Sequence, residues 1–181
     1  MANAATIVDL YGDEDGFGIG ALPGQSFDWT AVSGTPDAGT ITDAWIYGTQ
    51  SWTHAYNISS LGSITQAALE VFTGGQGWQG LSSIYVDGIL IGTLTDGDDA
   101  GLGYNYAWID TFDLMPYVGL LNGAEQITVE TVLSGDGWVL DYSKLTLSDE
   151  AAVPEPSTLL LLGSGLIGLA GLAGIRKKFK I

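Results

Sequence analysis

From Thr6 to Leu147 apolar and polar residues alternate in short runs separated by Gly, Asp and Asn, the period of two of half-buried strands rather than the longer period of helices. Thr6 to Tyr11 predicts a first strand, ended by an acidic, glycine-rich loop over Gly12 to Gly20. Residues 21–44 are weakly patterned and read as mostly loop, with a short strand at Phe27 to Ala31. Gln50 to Ile58 puts Trp52, His54 and Tyr56 on one face, and Ile64 to Thr73 does the same for Ala67, Leu69 and Val71. Between Ser83 and Leu94 the pair Asp87-Gly88 separates two apolar runs, and it favours the positive backbone angles of a type I′ hairpin turn. A loop over 95–103 leads to strands at Tyr106 to Asp113, Gln126 to Leu133 and Trp138 to Leu147, with a short helical turn at Leu114 to Leu121. About eight short strands and no long amphipathic helix predict an all-β domain over residues 6–148, a jelly-roll-like β-sandwich.

The pattern changes abruptly after a linker at 149–153. Residues 157–175 carry no charge, and as a helix rising about 1.5 Å per residue they would extend roughly 28 Å, enough to cross the core of a bilayer. Arg176, Lys177, Lys178 and Lys180 follow at once, a basic flank that stays on the cytoplasmic side. The domain before the span is therefore expected outside the cytoplasm.

Immediately before the span stands Val153-Pro154-Glu155-Pro156-Ser157. This box, the apolar span and the short basic end together resemble the PEP-CTERM sorting signal of Gram-negative bacteria, over residues 154–181. The resemblance implies processing near the box by the membrane enzyme exosortase. It also implies passage from the inner membrane to the cell surface or an exopolysaccharide matrix. A plain C-terminal anchor would share the span and the basic flank, so the box is what separates the two readings. The Gram-positive sortase box has no counterpart, because Leu22-Pro23-Gly24 is incomplete and misplaced. Export also calls for a signal peptide. Ala2-Asn3-Ala4 has the small-x-small form of a cleavage site, so residues 1–5 are read as the remnant of a cleavage region with a leader expected upstream.

Charge narrows the partners. Of 21 acids, 20 precede Pro154, where Lys144 is the only base, so no basic patch exists to neutralise phosphates and nucleic-acid binding is excluded. Such a surface attracts cations instead. With no cysteine, stiffening must come from packing or from a bound metal.

The last strand, with Leu140-Asp141-Tyr142, resembles the closing strand of calcium-stabilised carbohydrate-binding modules with jelly-roll folds. That resemblance implies a structural calcium held by Asp141 together with acids near the N-terminus, chosen from Asp9, Asp13, Glu14 and Asp15. Neither Asp13-x-Asp15 nor Asp96-x-Asp98 continues as an EF-hand loop, since Gly24 and Ala107 stand at the twelfth positions. Acids that merely cap turns and keep the surface hydrated are the simpler alternative. Flat aromatic faces can stack on sugar rings, although most aromatic residues of a β-domain serve the core. Trp78, in the glycine-rich stretch 74–80, is the first candidate for such a face, followed by Trp52 and Trp108. His54 is the sole histidine, no nucleophile-elbow motif accompanies it, and paired carboxylates could be picked freely from so many acids. The expectation is thus an exported, non-enzymatic protein acting by binding or structure. A calcium-dependent carbohydrate-binding module is the alternative, and a polysaccharide hydrolase ranks last.

Overall fold

Alternation shows directly in the strands that form. In β1 (Thr6–Gly12) Ile7, Asp9 and Tyr11 turn inward and are half-buried while Val8 and Leu10 stay exposed, and in β4 (Gln50–Ala55) Trp52 and His54 are buried between exposed neighbours. These observations come from a computed structural model, which describes residues 5–32, 35–78, 80–99 and 104–149, the side chain of Asp99 excepted.

The remaining strands are β2 (Ser26–Phe27), β3 (Ile46–Tyr47), β5 (Gln66–Gly74), β6 (Ser83–Val86), β7 (Ile89–Thr93), β8 (Asp98–Asp99), β9 (Tyr104–Asp113), β10 (Ala124–Glu130) and β11 (Gly137–Ser148). They form two antiparallel sheets. One is ordered β1-β11-β5-β9-β2, with β3 added on β11 and β8 on β9, and the other is ordered β4-β10-β6-β7. Asp87 and Gly88 take φ values of 48° and 77° between β6 and β7, the backbone of the expected hairpin turn. The short helical turn also forms, at Met115–Leu120. Trp29–Ala31, expected within a strand, is instead a single tight turn started by Asp28, whose carboxylate accepts from the Thr30 amide and hydroxyl.

Leu69, Val71, Ile84, Ile127, Val129 and Leu145 fill the core. A smaller apolar cluster joins Phe17 and Val32 to Phe72, Ala107, Val139 and Tyr142, so the loop after β1 is pinned to β5, β9 and β11 by ring packing. Consequently β11 is buried almost throughout its length. The fold also reaches one residue into the expected linker, because the Asp149 carboxylate accepts from the amides of Ala5 and Gly62. The transmembrane helix expected at 157–175, and the sorting residues on either side of it, lie outside the described residues. Among the described residues no helix is long and apolar enough to cross a membrane.

Candidate metal centre

β1 and β11 run antiparallel from Thr6 opposite Ser148 to Gly12 opposite Tyr142, so the acidic loop leaves β1 beside Asp141. At that point the pairing of β11 with β5 slips between Leu140 and Tyr142, and Asp141 is the extra residue. A bulge of this kind re-aims a side chain out of the regular alternation. The Asp141 carboxylate meets the loop, where Oδ1 accepts from the Phe17 amide at 2.5 Å. Phe17 takes a left-handed φ of 63°, costly for a residue with a Cβ. Its ring offsets that cost by packing on Phe72 and Phe27, with centroids 4.9 and 5.0 Å away. Asp15 caps the same turn through the Gly18 amide at 2.6 Å. From the other side Asp43, also left-handed at φ 59°, donates its amide to the Leu140 carbonyl at 2.9 Å.

Asp13, Asp15, Asp43 and Asp141 thereby each bring one carboxylate oxygen within 4.8 Å of the others, in a cluster able to hold a metal ion. Two of its oxygens, Asp43 Oδ1 and Asp141 Oδ2, are buried and accept no hydrogen bond. Such groups are costly unless something pairs with them. Burial foremost, and then the charges of Asp15, Asp141, Asp37 and Asp13, push the Asp43 carboxyl up to about 7. Burial likewise raises Asp141 to about 7, helped by Asp15 and Asp13 and opposed by the Phe17 amide. The Asp13 carboxyl is also raised, by burial first and then by Asp15 and Asp37. Protonation is the response of crowded carboxylates without a counter-charge.

Two expected ligands stand elsewhere. Asp9 faces inward with Ile7 and Tyr11, away from the loop, and its Oδ2 lies 2.8 Å from His54 Nδ1. Glu14 pairs with Lys144 at 2.9 Å, and the same ammonium meets Glu70 at 2.7 Å. Asp43 takes the place expected of them, brought in by a segment with no strand pattern. The inward alternation of β1 is the signal that could have removed Asp9. Nothing comparable marks Asp43.

The Asp9–His54 pair extends further, since His54 Nε2 lies 2.9 Å from Ser143 Oγ. The order resembles a nucleophile relay, yet His54 and Ser143 are both fully buried between the sheets. Burial holds the imidazole below its usual pKa, with Asp9 pulling the other way.

The aromatic candidates separate in the same manner. Trp52 is 4 % exposed and stacks on Tyr11 in the core, so it offers no face to a sugar. Trp108 is half-buried on β9 and does not line the cleft formed by Trp29, Trp45 and Tyr47. Trp78 does line that cleft, of about 490 Å³, together with Trp29, Trp45 and Tyr47, which the sequence pattern did not single out.

Residues 152–178 match the model of the PEP-CTERM protein-sorting motif, which takes in Val153 to Ser157 and Arg176, Lys177 and Lys178, while Lys180 lies beyond it. No curated protein matches the chain. Among solved structures, dimeric latent PorU from Porphyromonas gingivalis is similar with a TM-score of 0.43 and 10 % identity, over 81 % of this chain and 13 % of that one. The chain thus spans about an eighth of that protein's length.

Proposed function

We propose that this chain, which carries the PEP-CTERM protein-sorting motif at residues 152–178, is an exosortase-processed surface or matrix protein whose β-domain is held together by calcium and acts by binding or structure, not catalysis. The motif implies a membrane-anchored precursor exported to the cell surface, with exosortase as its processing partner.

The observation that carries the calcium reading is the aspartate cluster with its two unpartnered buried oxygens. The donors are all hard carboxylate oxygens, which suit calcium or magnesium rather than a thiophilic metal. Calcium ligands stand about 2.3–2.6 Å from the ion, so opposite ones are up to about 5 Å apart, whereas magnesium draws its ligands closer. Four oxygens that all lie within 4.8 Å of one another fit that span. Such an ion would tie the loop after β1 and the segment at Asp43 to the bulge of β11. The strand order supports the jelly-roll form of this sandwich, since β1, β11, β5 and β9 lie in one sheet and β4, β10, β6 and β7 in the other. Burial of His54 and Ser143 supports a non-enzymatic role. The second reading is a carbohydrate-binding module of this same build, and the aromatic cleft supports it.

Thermal unfolding of the purified protein, with calcium or with chelator at matched ionic strength, tests the reading. Calcium at a hundred times its dissociation constant adds about 2.7 kcal/mol to the native state, a rise in Tm of roughly 5–10 °C for a domain of this size. Asp141→Asn, which keeps an acceptor for the Phe17 amide, should abolish most of that rise. Identical curves in calcium and chelator would overturn the calcium reading.

A further inference from the structure

We propose that the cleft walled by Trp29, Trp45, Tyr47 and Trp78 binds a neutral saccharide chain. This rests on the carbohydrate-binding reading and gives it a site. Trp29, Tyr47 and Trp78 are 47, 59 and 50 % exposed, so three large rings keep apolar faces in water in a domain that buries Trp52 and Trp138 almost completely. Clustered exposed aromatics of this kind mark a binding surface. Two of the rings brace each other, and a third stands on a paired strand. Trp29 leans on Trp45, with centroids 5.6 Å apart and planes tilted by 45°, and Tyr47 belongs to β3, paired with β11.

The polar groups in the cleft specify the ligand. Asp136 is 2 % exposed; its Oδ2 accepts from the Gly77 amide at 3.1 Å, and its Oδ1 is buried with no donor. Asp98 and Asn105 line the same cleft, and among the described residues no lysine or arginine does. Carboxylates only accept, so the ligand must supply donors. A sugar ring meets both demands, with a face of C–H groups for the indoles and a rim of hydroxyls for Asp136. Anionic sugars are disfavoured, because their carboxylate or sulfate groups would face the carboxylates of Asp98 and Asp136.

A quaternary ammonium also suits rings and carboxylates, but it needs aromatic faces closed around one point. Here no ring but Trp45 is in ring contact with Trp29 among the described residues of the cleft. Trp29 also lines a neighbouring hollow of about 350 Å³ that contains Phe27 and Tyr104, so the two hollows adjoin along one side chain. The first hollow alone is within the range of about 300–1,000 Å³ typical of small-ligand sites. Two hollows that share the Trp29 wall fit an extended chain better than a single small cation.

The test is isothermal titration of the full chain in detergent, with calcium present, against neutral hexasaccharides of gluco-, manno- and xylo-series, hexagalacturonate and choline. A neutral hexasaccharide should bind, and Trp78→Ala and Trp29→Ala should each weaken it about tenfold or more while leaving Tm unchanged. Tyr47→Ala serves as a third variant should either of these lower Tm. Tm in calcium and in chelator is recorded apart from saccharide affinity, so failure of the metal reading and failure of the cleft are read separately. No binding by any neutral hexasaccharide, preference for hexagalacturonate or choline, or unchanged affinity in the folded tryptophan variants would each overturn the proposal.

Discussion

Asp43 and Asp141 ionise with difficulty, and this sets the pH response of the metal-free domain. Their folded pKa values of about 7 lie above the ordinary carboxylate value of 3.8, so their contribution is complete below about pH 4 and is lost as pH rises through 7. The loss is on the order of a few kcal/mol. In chelator, Tm should therefore fall between pH 4 and 7.5, and Asp141→Asn should flatten that slope. Calcium should do the same, by replacing the protons it releases. His54 acts in the opposite sense. Its folded pKa is depressed, so its contribution is present above the ordinary value of 6.5 and lost as pH falls through the folded value. A wild-type Tm in chelator that is level from pH 4 to 7.5, and unchanged by Asp141→Asn, would contradict the assignment. At this scale the sequence was partly legible. Asp13, Asp15 and Asp141 announced themselves by an acidic loop and a strand motif, whereas Asp43 joins them only through a left-handed turn against Leu140, which leaves no mark in residue pattern.

Gly12 shows how an element positions the centre. It ends β1 at φ 85°, and a Cβ there would collide with the Asp141 carbonyl oxygen and the Thr42 side chain. Gly12→Ala must therefore push β11 or the segment at Asp43 aside, costing about 2 kcal/mol or more. The calcium-induced rise in Tm should be lost with it. Gly88→Ala is the control, since its Cβ would meet nothing within 4 Å and only the positive φ of 77° is penalised. That costs about 1–2 kcal/mol and should leave the calcium response intact. Equal calcium responses in the two variants would show that the end of β1 does not shape the centre. The longer strands and the hairpin were readable because alternation and an Asp-Gly pair act locally. β3 and β8 were not, being two residues each and specified by their partners β11 and β9. The aromatic cleft was hidden for a related reason. Its walls come from the turn after β2, from β3 and from the stretch after β5, and only tertiary packing brings them together.

For the whole molecule, the division at Asp149 separates a strongly acidic domain from a tail addressed by its motif. If an enzyme reads Pro154-Glu155-Pro156, material recovered from the cell surface should lack Arg176 to Ile181. Pro154→Ala combined with Glu155→Ala should leave an uncut, membrane-bound form. Mass spectrometry of the wild-type surface protein decides this, and an intact basic end there would rule out processing. Twenty acids before residue 154 repel one another in the compact state, so the domain's own stability is tied to the cations of its surroundings.

The pairing of β1 with β11 has a mechanical side. Ala5 and Asp149 clasp each other, the Ala5 amide on the Asp149 carboxylate at 2.6 Å and the Asp149 amide on the Ala5 carbonyl at 3.1 Å, so the chain enters and leaves the domain at one corner. Force applied across that corner would peel the two strands apart one rung at a time, from Thr6 and Ser148 towards Gly12 and Tyr142. The aspartate cluster lies where that ladder ends. An ion seated there would act as a rivet that stops the tear after β1 has lifted and before the rest of the sheet is loaded. Stretching single molecules by their two ends should then show an early yield insensitive to calcium and a later one that calcium strengthens.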